Sequence, residues 1–234
     1  VVDGKEVYDP TLDPPLPEEV EHTKPDYTIY GITDTAYGFL TKGCPRGCEF
    51  CHVAKMQGRK VHHHADLTEW WGGQKKIVLL DPNLTASKDA VKYLEMLADS
   101  GAQVDFSQGL DLRLMTDDVI NALNRVKWKN IHFAWDRYED KDKILPRLKM
   151  FKEFSGLRDR DIIVYNLIGF DTTMEQNIDR AQSLRGIAEP YTMIYEKYKL
   201  PKHHELKMFQ RWTNHKAIWH SCPTFEEYLK GGTK

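Results

Sequence analysis

Between residues 36 and 196, short apolar runs alternate with stretches whose apolar positions recur every three or four residues. The runs predict strands at Ala36–Thr41, Lys76–Leu80, Gln103–Phe106, Ile131–Trp135, Asp161–Ile168 and Tyr191–Tyr195. Lys76–Leu80 is apolar without alternation, the pattern of a strand buried on both faces. Between the strands lie helices with one apolar face. Residues 87–99 carry Ala90, Val91, Leu94, Leu97 and Ala98; Thr116 caps a helix with Val119, Ile120, Leu123 and Val126; residues 143–154 carry Ile144, Leu148 and Phe151. Thr172 with Glu175 reads as a capping box ahead of Ile178, Ala181 and Leu184. Connections of that length suit parallel strands with crossover helices, so the fold class is α/β, its sheet open or curled into a partial barrel.

Outside this alternation the pattern changes. Residues 1–35 hold Pro10, Pro14, Pro15 and Pro17, then Glu18, Glu19 and Glu21, and read as an extended lead-in. Residues 36–200 form the core. Residues 201–234 form a helical tail, with helices near 204–213 and 224–230, the second opened by Thr224 and Glu227. Internal repeats are absent from the sequence.

Composition narrows the class. The chain has 234 residues, 41% of them hydrophobic, which suits one large domain with appendages. A net charge of −2 does not favour nucleic acid or an anionic membrane, and no apolar run reaches membrane-spanning length. No signal peptide precedes the four cysteines, three of which crowd together, so a reducing, cytoplasmic setting and a metal are expected rather than disulfides. The first residue is not methionine, so an upstream segment is allowed for.

Unusual residues collect after the predicted strands, where parallel α/β folds bind ligands. They are the cysteine loop, Asp81-Pro82-Asn83, the run from Ser107 and Gln108 to Arg113, Asp136-Arg137, and Gly169-Phe170-Asp171. Each alone has an ordinary reading as turn chemistry.

The cysteines fall at Cys44, Cys48 and Cys51, separated by three and then two residues. Three thiolates leave one metal position open. Zinc competes, with His52 or His62, His63 and His64 as a fourth ligand, whereas a polar loop flanked by glycine and proline does not suit buried core thiols. A CX3CX2C loop after the first strand of an alternating α/β chain resembles the radical S-adenosylmethionine (SAM) superfamily, over roughly residues 36–196. That resemblance implies a partial (β/α)6 barrel and a [4Fe–4S] cluster on the three cysteines, with SAM chelating the open iron. It implies reductive cleavage of SAM to methionine and a 5′-deoxyadenosyl radical, which takes hydrogen from a substrate the sequence does not identify. It also implies a one-electron reductant such as flavodoxin or ferredoxin.

Phe50 matches the aromatic usual before the third cysteine. Where the family has Gly-Gly-Glu to hold the SAM amino group, this chain has Asp81-Pro82-Asn83. Leu167-Ile168-Gly169 is similar to the stretch that packs on adenine, with Ile168 and Gly169 as the contacts. Gln108, Arg113, Asp136 and Arg137 are candidates for the ribose and the SAM carboxylate, Arg113 because a guanidinium can bind two oxygens at once.

Other features have plainer readings. The His62–His64 run reads as a solvated loop. Lys42, Arg46, Lys55, Arg59 and Lys60 balance the charge of a cluster. Trp70 and Trp71 pack, and the tail aromatics Trp212, Trp219, Phe225 and Tyr228 close one end of the barrel. Cys222 stays a candidate on the substrate side. Two other function classes compete: a zinc-binding interaction or RNA-binding module built on the cysteine loop, and an iron–sulfur electron carrier without SAM turnover. The approach from Gly38 to Cys44 is similar to cobalamin-dependent radical SAM enzymes and methylthiotransferases. If the chain is complete, both lose ground, since it has no upstream domain and no second cysteine cluster.

Overall fold

The computed structural model describes residues 16–231. Pro10, Pro14 and Pro15 of the lead-in lie outside them. The described strands are β1 (Thr35–Gly38), β2 (Thr41–Lys42), β3 (His62–His63), β4 (Lys76–Leu79), β5 (Gln103–Phe106), β6 (Ile131–Ala134), β7 (Ile162–Ile168) and β8 (Glu189–Ile194). The helices are α1 (Glu18–Glu21), α2 (Val53–Met56), α3 (Leu67–Trp70), α4 (Ala90–Asp99), α5 (Asp117–Arg125), α6 (Lys141–Ser155), α7 (Met174–Ser183), α8 (Glu205–Asn214), α9 (Lys216–Ser221) and α10 (Phe225–Gly231). The described residues form two compact units, 16–108 with 121–127, and 109–120 with 128–231.

In the first unit β1, β4 and β5 pair in parallel, in that order. The expected strand Ala36–Thr41 breaks after Gly38, and the chain re-forms as β2, antiparallel to β3. The cause is Asp81, whose carboxylate accepts from the backbone N–H of both Leu40 and Thr41 and so takes those donors out of the ladder. Lys76–Leu79 is buried on one face rather than two: Ile77 and Leu79 are enclosed, Val78 half-buried. Within the described part of the lead-in, residues 18–21 form one turn of α-helix and Tyr27–Tyr30 a 3-10 turn. Tyr27 Oη accepts from Tyr37 N–H and donates to Tyr37 C=O, both at 2.9 Å. It thereby satisfies the free edge of β1, which would otherwise invite another strand.

In the second unit β6, β7 and β8 pair in parallel, and Leu110 forms a single parallel bridge to Phe133. The six parallel strands thus lie in two open three-stranded sheets, where one partial barrel was expected. Alternation is strict in β7: Ile162, Val164, Asn166 and Ile168 are buried, while Ile163, Tyr165 and Leu167 are half-buried. The covered face joins the tail: Ile168, Ala181, Ile194, Phe209, Trp212, Trp219 and Phe225 form one hydrophobic cluster. The tail aromatics therefore pack behind the sheet rather than across an opening. The opposite face carries His132, Tyr165 and Tyr191, their ring centroids 5.2 and 5.6 Å apart.

The capping box of α7 is Thr173 with Gln176, one residue later than the sequence suggested. Both registers fit the Thr-x-x-Glu/Gln pattern. The later one turns Asn177, Arg180 and Ala181 inward and leaves Thr172 Oγ1 to donate to Asn177 Oδ1.

Candidate metal centre

The cysteine loop begins two residues after a fixed point. Asp81 Oδ1 accepts from Leu40 N (2.8 Å) and Oδ2 from Thr41 N (2.6 Å) and Thr41 Oγ1 (2.5 Å). Burial pushes this carboxyl up to about 6, against the pull of those donors. Beyond Thr41, the β2–β3 ladder closes the neck of the loop, pairing Thr41 with His63 and Lys42 with His62. Cys44 N–H donates to Gly58 C=O at 3.1 Å, and Gly43 N–H to Gln57 Oε1 at 3.1 Å. Gly43 has φ +88°, and a Cβ there would sit 2.3 Å from Lys60 O, so only glycine closes this turn.

Within the loop the three thiols are half-buried, and none of the four cysteines forms a disulfide. Cys51 N–H donates to Cys48 C=O (3.0 Å), curling the second half of the motif. Among the described residues, no three His, Cys, Asp or Glu side chains converge as a ready-made metal site. The donor set nevertheless fits a soft metal or an iron–sulfur cluster: three thiols on one loop, and a buried amide beside the first. Asn83, 4% exposed, donates from Nδ2 to Cys44 Sγ at 3.7 Å, while its Oδ1 accepts from Thr85 Oγ1. An N–H aimed at a ligating sulfur is one of the controls on cluster potential.

The other candidate residues divide by unit. Phe50 and Pro82 are half-buried in the first. Gln108 is exposed there, and its amide reaches only Ser107 Oγ, at 3.5 Å. In the second unit Arg113 is already committed. It donates to both oxygens of Asp111 (2.7 and 3.1 Å) and to Asp140, so it has no free fork for a ligand carboxylate. Arg137 is exposed and only 3.9 Å from Glu139. Asp136 accepts from Leu167 N–H at 3.3 Å, and burial raises its carboxyl above the ordinary range, against Leu167, Arg180 and Arg113. Ile168 points into the tail cluster at 1% exposure, so on this stretch Leu167 faces the open side of the sheet. Gly169 has φ +78°, and a Cβ there would meet Leu206 at 3.0 Å.

Sequence reasoning missed Arg180. Its guanidinium, 1% exposed, donates to the carbonyls of Trp135 and Asp136 (2.9 Å each) and Leu167 (2.6 Å), and to Asn177 Oδ1 (2.8 Å). It thereby ties the ends of β6 and β7, where Asp136 sits. The available signal was its register, three residues after Asn177 and next to Ala181 on the apolar face of α7. Also missed was the cluster through which the lead-in grips the loop base. Glu21 pairs with Lys42 and lies 3.8 Å from His64, and His22 Nδ1 is 2.7 Å from Glu69. These side chains line a cavity of about 740 Å3, with Tyr37, Phe39 and Trp70 as its apolar wall. Trp70 also packs flat on Gly38, where a Cβ would lie 2.3 Å from the indole. His62 and His63 lie exposed on β3, and Cys222 packs against the tail cluster.

No protein-family model and no curated protein sequence matches the chain. Among solved structures the chain is similar to a radical S-adenosylmethionine methyltransferase, TsrM, from Kitasatospora setae, determined with cobalamin and a [4Fe–4S] cluster bound. The identity is 12% and the TM-score 0.53, over 68% of this chain and 36% of that one. At that identity the likeness is one of fold, and the chain spans about a third of the methyltransferase's length. No helix among the described residues is long and apolar enough to cross a membrane.

Proposed function

We propose that this chain is a radical SAM enzyme whose cluster is held by Cys44, Cys48 and Cys51. The observation that carries the reading is the cysteine loop itself. It follows the first strand of a parallel sheet, is clamped at its neck, and has the Asn83 amide on its first sulfur. The likeness in fold to a radical SAM methyltransferase supports it. A [4Fe–4S] cluster with SAM on its open iron supplies a 5′-deoxyadenosyl radical by reductive cleavage and so allows hydrogen abstraction from a substrate.

The chain's own residues do the holding and positioning. Asp81 fixes the backbone from which the loop departs, and Asn83 donates to Cys44. Phe50 lies within the loop, directly before Cys51, Pro82 sits between Asp81 and Asn83, and Gln108 offers an exposed amide. In the second unit Asp136, Arg137, Leu167 and Gly169 are the groups we assign to SAM, with Arg180 holding the first and third in place. In this reading the six parallel strands belong to a partial (β/α)6 barrel. The thiols require a reducing compartment such as the cytoplasm and a one-electron donor of the flavodoxin or ferredoxin kind.

The test is anaerobic reconstitution with iron and sulfide, followed by dithionite and SAM. Iron and acid-labile sulfide in near-equal amounts, and release of 5′-deoxyadenosine, are expected. One colourless zinc per chain, or cluster absorbance unchanged in Cys48→Ala, would overturn the reading.

A further inference from the structure

The formal charge of −2 hides an uneven distribution. Between residues 197 and 216 stand Lys197, Lys199, Lys202, Lys207, Arg211 and Lys216, against the single acid Glu205. Part of this excess is built into one place. Lys197, Lys207, Arg211 and His215 line a single cavity of about 530 Å3, with Tyr191 on its wall and no carboxylate in its lining.

Three of those residues, Lys207, Arg211 and His215, recur every four positions, so they form one stripe on and just past α8. The opposite face of α8 is anchored: Phe209, Trp212 and Thr213 are buried. Asn214 Oδ1 accepts from Thr192 N–H (2.7 Å), and Asn214 Nδ2 and Gln210 Nε2 both donate to Thr192 C=O (2.9 and 2.8 Å). The basic stripe is thus held rigidly along the edge of β8. Like charges four residues apart on a helix oppose its folding, by about 0.2–0.5 kcal/mol per pair. Lys207 gives its ammonium only to Leu200 C=O, and Lys197 and Arg211 are exposed, so among the described residues no carboxylate offsets the repulsion between Lys207 and Arg211.

We infer that this cavity binds the phosphodiester backbone of a single-stranded nucleic acid. One carboxylate needs one guanidinium, whereas several cations around one cavity call for a ligand carrying several negative charges. The excess runs beyond the cavity to Lys202 and Lys216, as it would along a strand, while Lys199 is paired with Glu196. Exposed rings are at hand: Tyr191, on the cavity wall, is 47% exposed, and Tyr198, next in the chain to Lys197, is 80% exposed, the kind of stacking surface such a strand uses. Gln210 and Asn214 each give one amide hydrogen to Thr192 C=O, which pins both side chains against β8 beside the basic residues.

The proposal does not depend on the cluster, and its test reads neither iron nor SAM. The full chain is titrated into a fluorescein-labelled oligothymidylate of about ten nucleotides, followed by anisotropy from about 50 mM salt upward. Saturable binding is expected, with log affinity falling against log salt at a slope of about −2, for some three phosphates. Arg211→Gln and Lys197→Gln should each weaken binding roughly fivefold to tenfold and take about 0.7 off that slope. Lys149→Gln, an exposed cation on α6 outside the cavity, should change neither. Three results would overturn the proposal: no binding at the lowest salt, an Arg211→Gln variant that binds like wild type, or an equal loss in Lys149→Gln. Thymidine monophosphate competing as tightly as the oligomer would also overturn it, since the ligand would then be a single phosphate.

Discussion

Arg180→Met removes a positive charge from the interior of the second unit while nearly keeping the side-chain volume. Arg180 makes four hydrogen bonds, three of them to the carbonyls of Trp135, Asp136 and Leu167. A hydrogen bond with a charged partner contributes about 1.5–3 kcal/mol net, so the low end gives ~6 kcal/mol. Against this stands the cost of burying the guanidinium. Burial depresses its pKa well below the ordinary guanidinium range, to about 10, which corresponds to on the order of 3 kcal/mol. The difference predicts a loss of about 3 kcal/mol, the low edge of the roughly 3–5 kcal/mol for breaking a buried charged partnership. Urea unfolding followed by tryptophan fluorescence reads it directly, because Trp135, Trp212 and Trp219 are buried in the same unit. Arg180→Lys keeps the charge but not the fork, and should fall between wild type and Arg180→Met. A loss under about 1 kcal/mol for Arg180→Met would refute the assignment, because three buried carbonyls would then have lost their donor at no cost.

Three further outcomes follow from the loop and its base. The carboxyl of Asp81 is raised in the folded state to about 6, so it stabilises the fold fully below about pH 4 and loses that contribution as pH rises through 6. Subtracting the stability profile of Asp81→Asn from that of wild type should leave a fall on the order of 3 kcal/mol between pH 4 and 7, and a flat difference would contradict the burial argument. Gly43→Ala places a methyl 2.3 Å from Lys60 O at a positive φ; the reconstituted variant should bind well under half the wild-type iron, and full occupancy would show that the turn can relax. Asn83→Val removes the donor to Cys44 Sγ and should lower the potential of the reconstituted cluster, since a hydrogen bond to sulfur favours the more negative, reduced state; potentiometric titration giving an unchanged or raised midpoint would remove Asn83 from the site.

What was legible in the chain was periodicity. Gln103–Phe106 is a strand with the expected bounds, and the other five parallel strands differ from expectation at their ends. Thr116 caps α5 as read: Val119 N–H donates to its Oγ1 at 3.3 Å. What was not legible depended on distant partners. The break after Gly38 is made by Asp81, forty residues on from Thr41. Tyr27, in a segment without periodicity, closes the edge of β1 through one hydroxyl. Arg113 is a candidate in sequence because a guanidinium can bind two carboxylate oxygens at once; Asp111 and Asp140 take that fork instead. Ile168, the contact that the resemblance implies, is covered by the tail while Leu167 meets the open face; a one-residue difference in strand phase decides this, and only the packed tail reveals which face is covered.

The turn Asp81-Pro82-Asn83 is where resemblance and geometry meet most closely. A Gly-Gly-Glu at this position would leave backbone and carboxylate for the amino group of SAM. Here both side chains turn back toward the cysteine loop: Asp81 to the backbone that launches it, Asn83 to the sulfur that begins it. Pro82 has no N–H and a fixed φ, so it holds the two in this relation without competing for an acceptor. The end of β4 is thereby coupled mechanically to the loop. A change that loosens Asp81 must shift Thr41, the β2–β3 neck and Cys44 together, whereas a change at Asn83 touches one sulfur and leaves the neck intact. Asp81→Asn should therefore lower stability and iron content in parallel, and Asn83→Val should alter the cluster's potential at near-normal iron content. If the two variants gave the same phenotype, the division of labour drawn from these hydrogen bonds would be wrong.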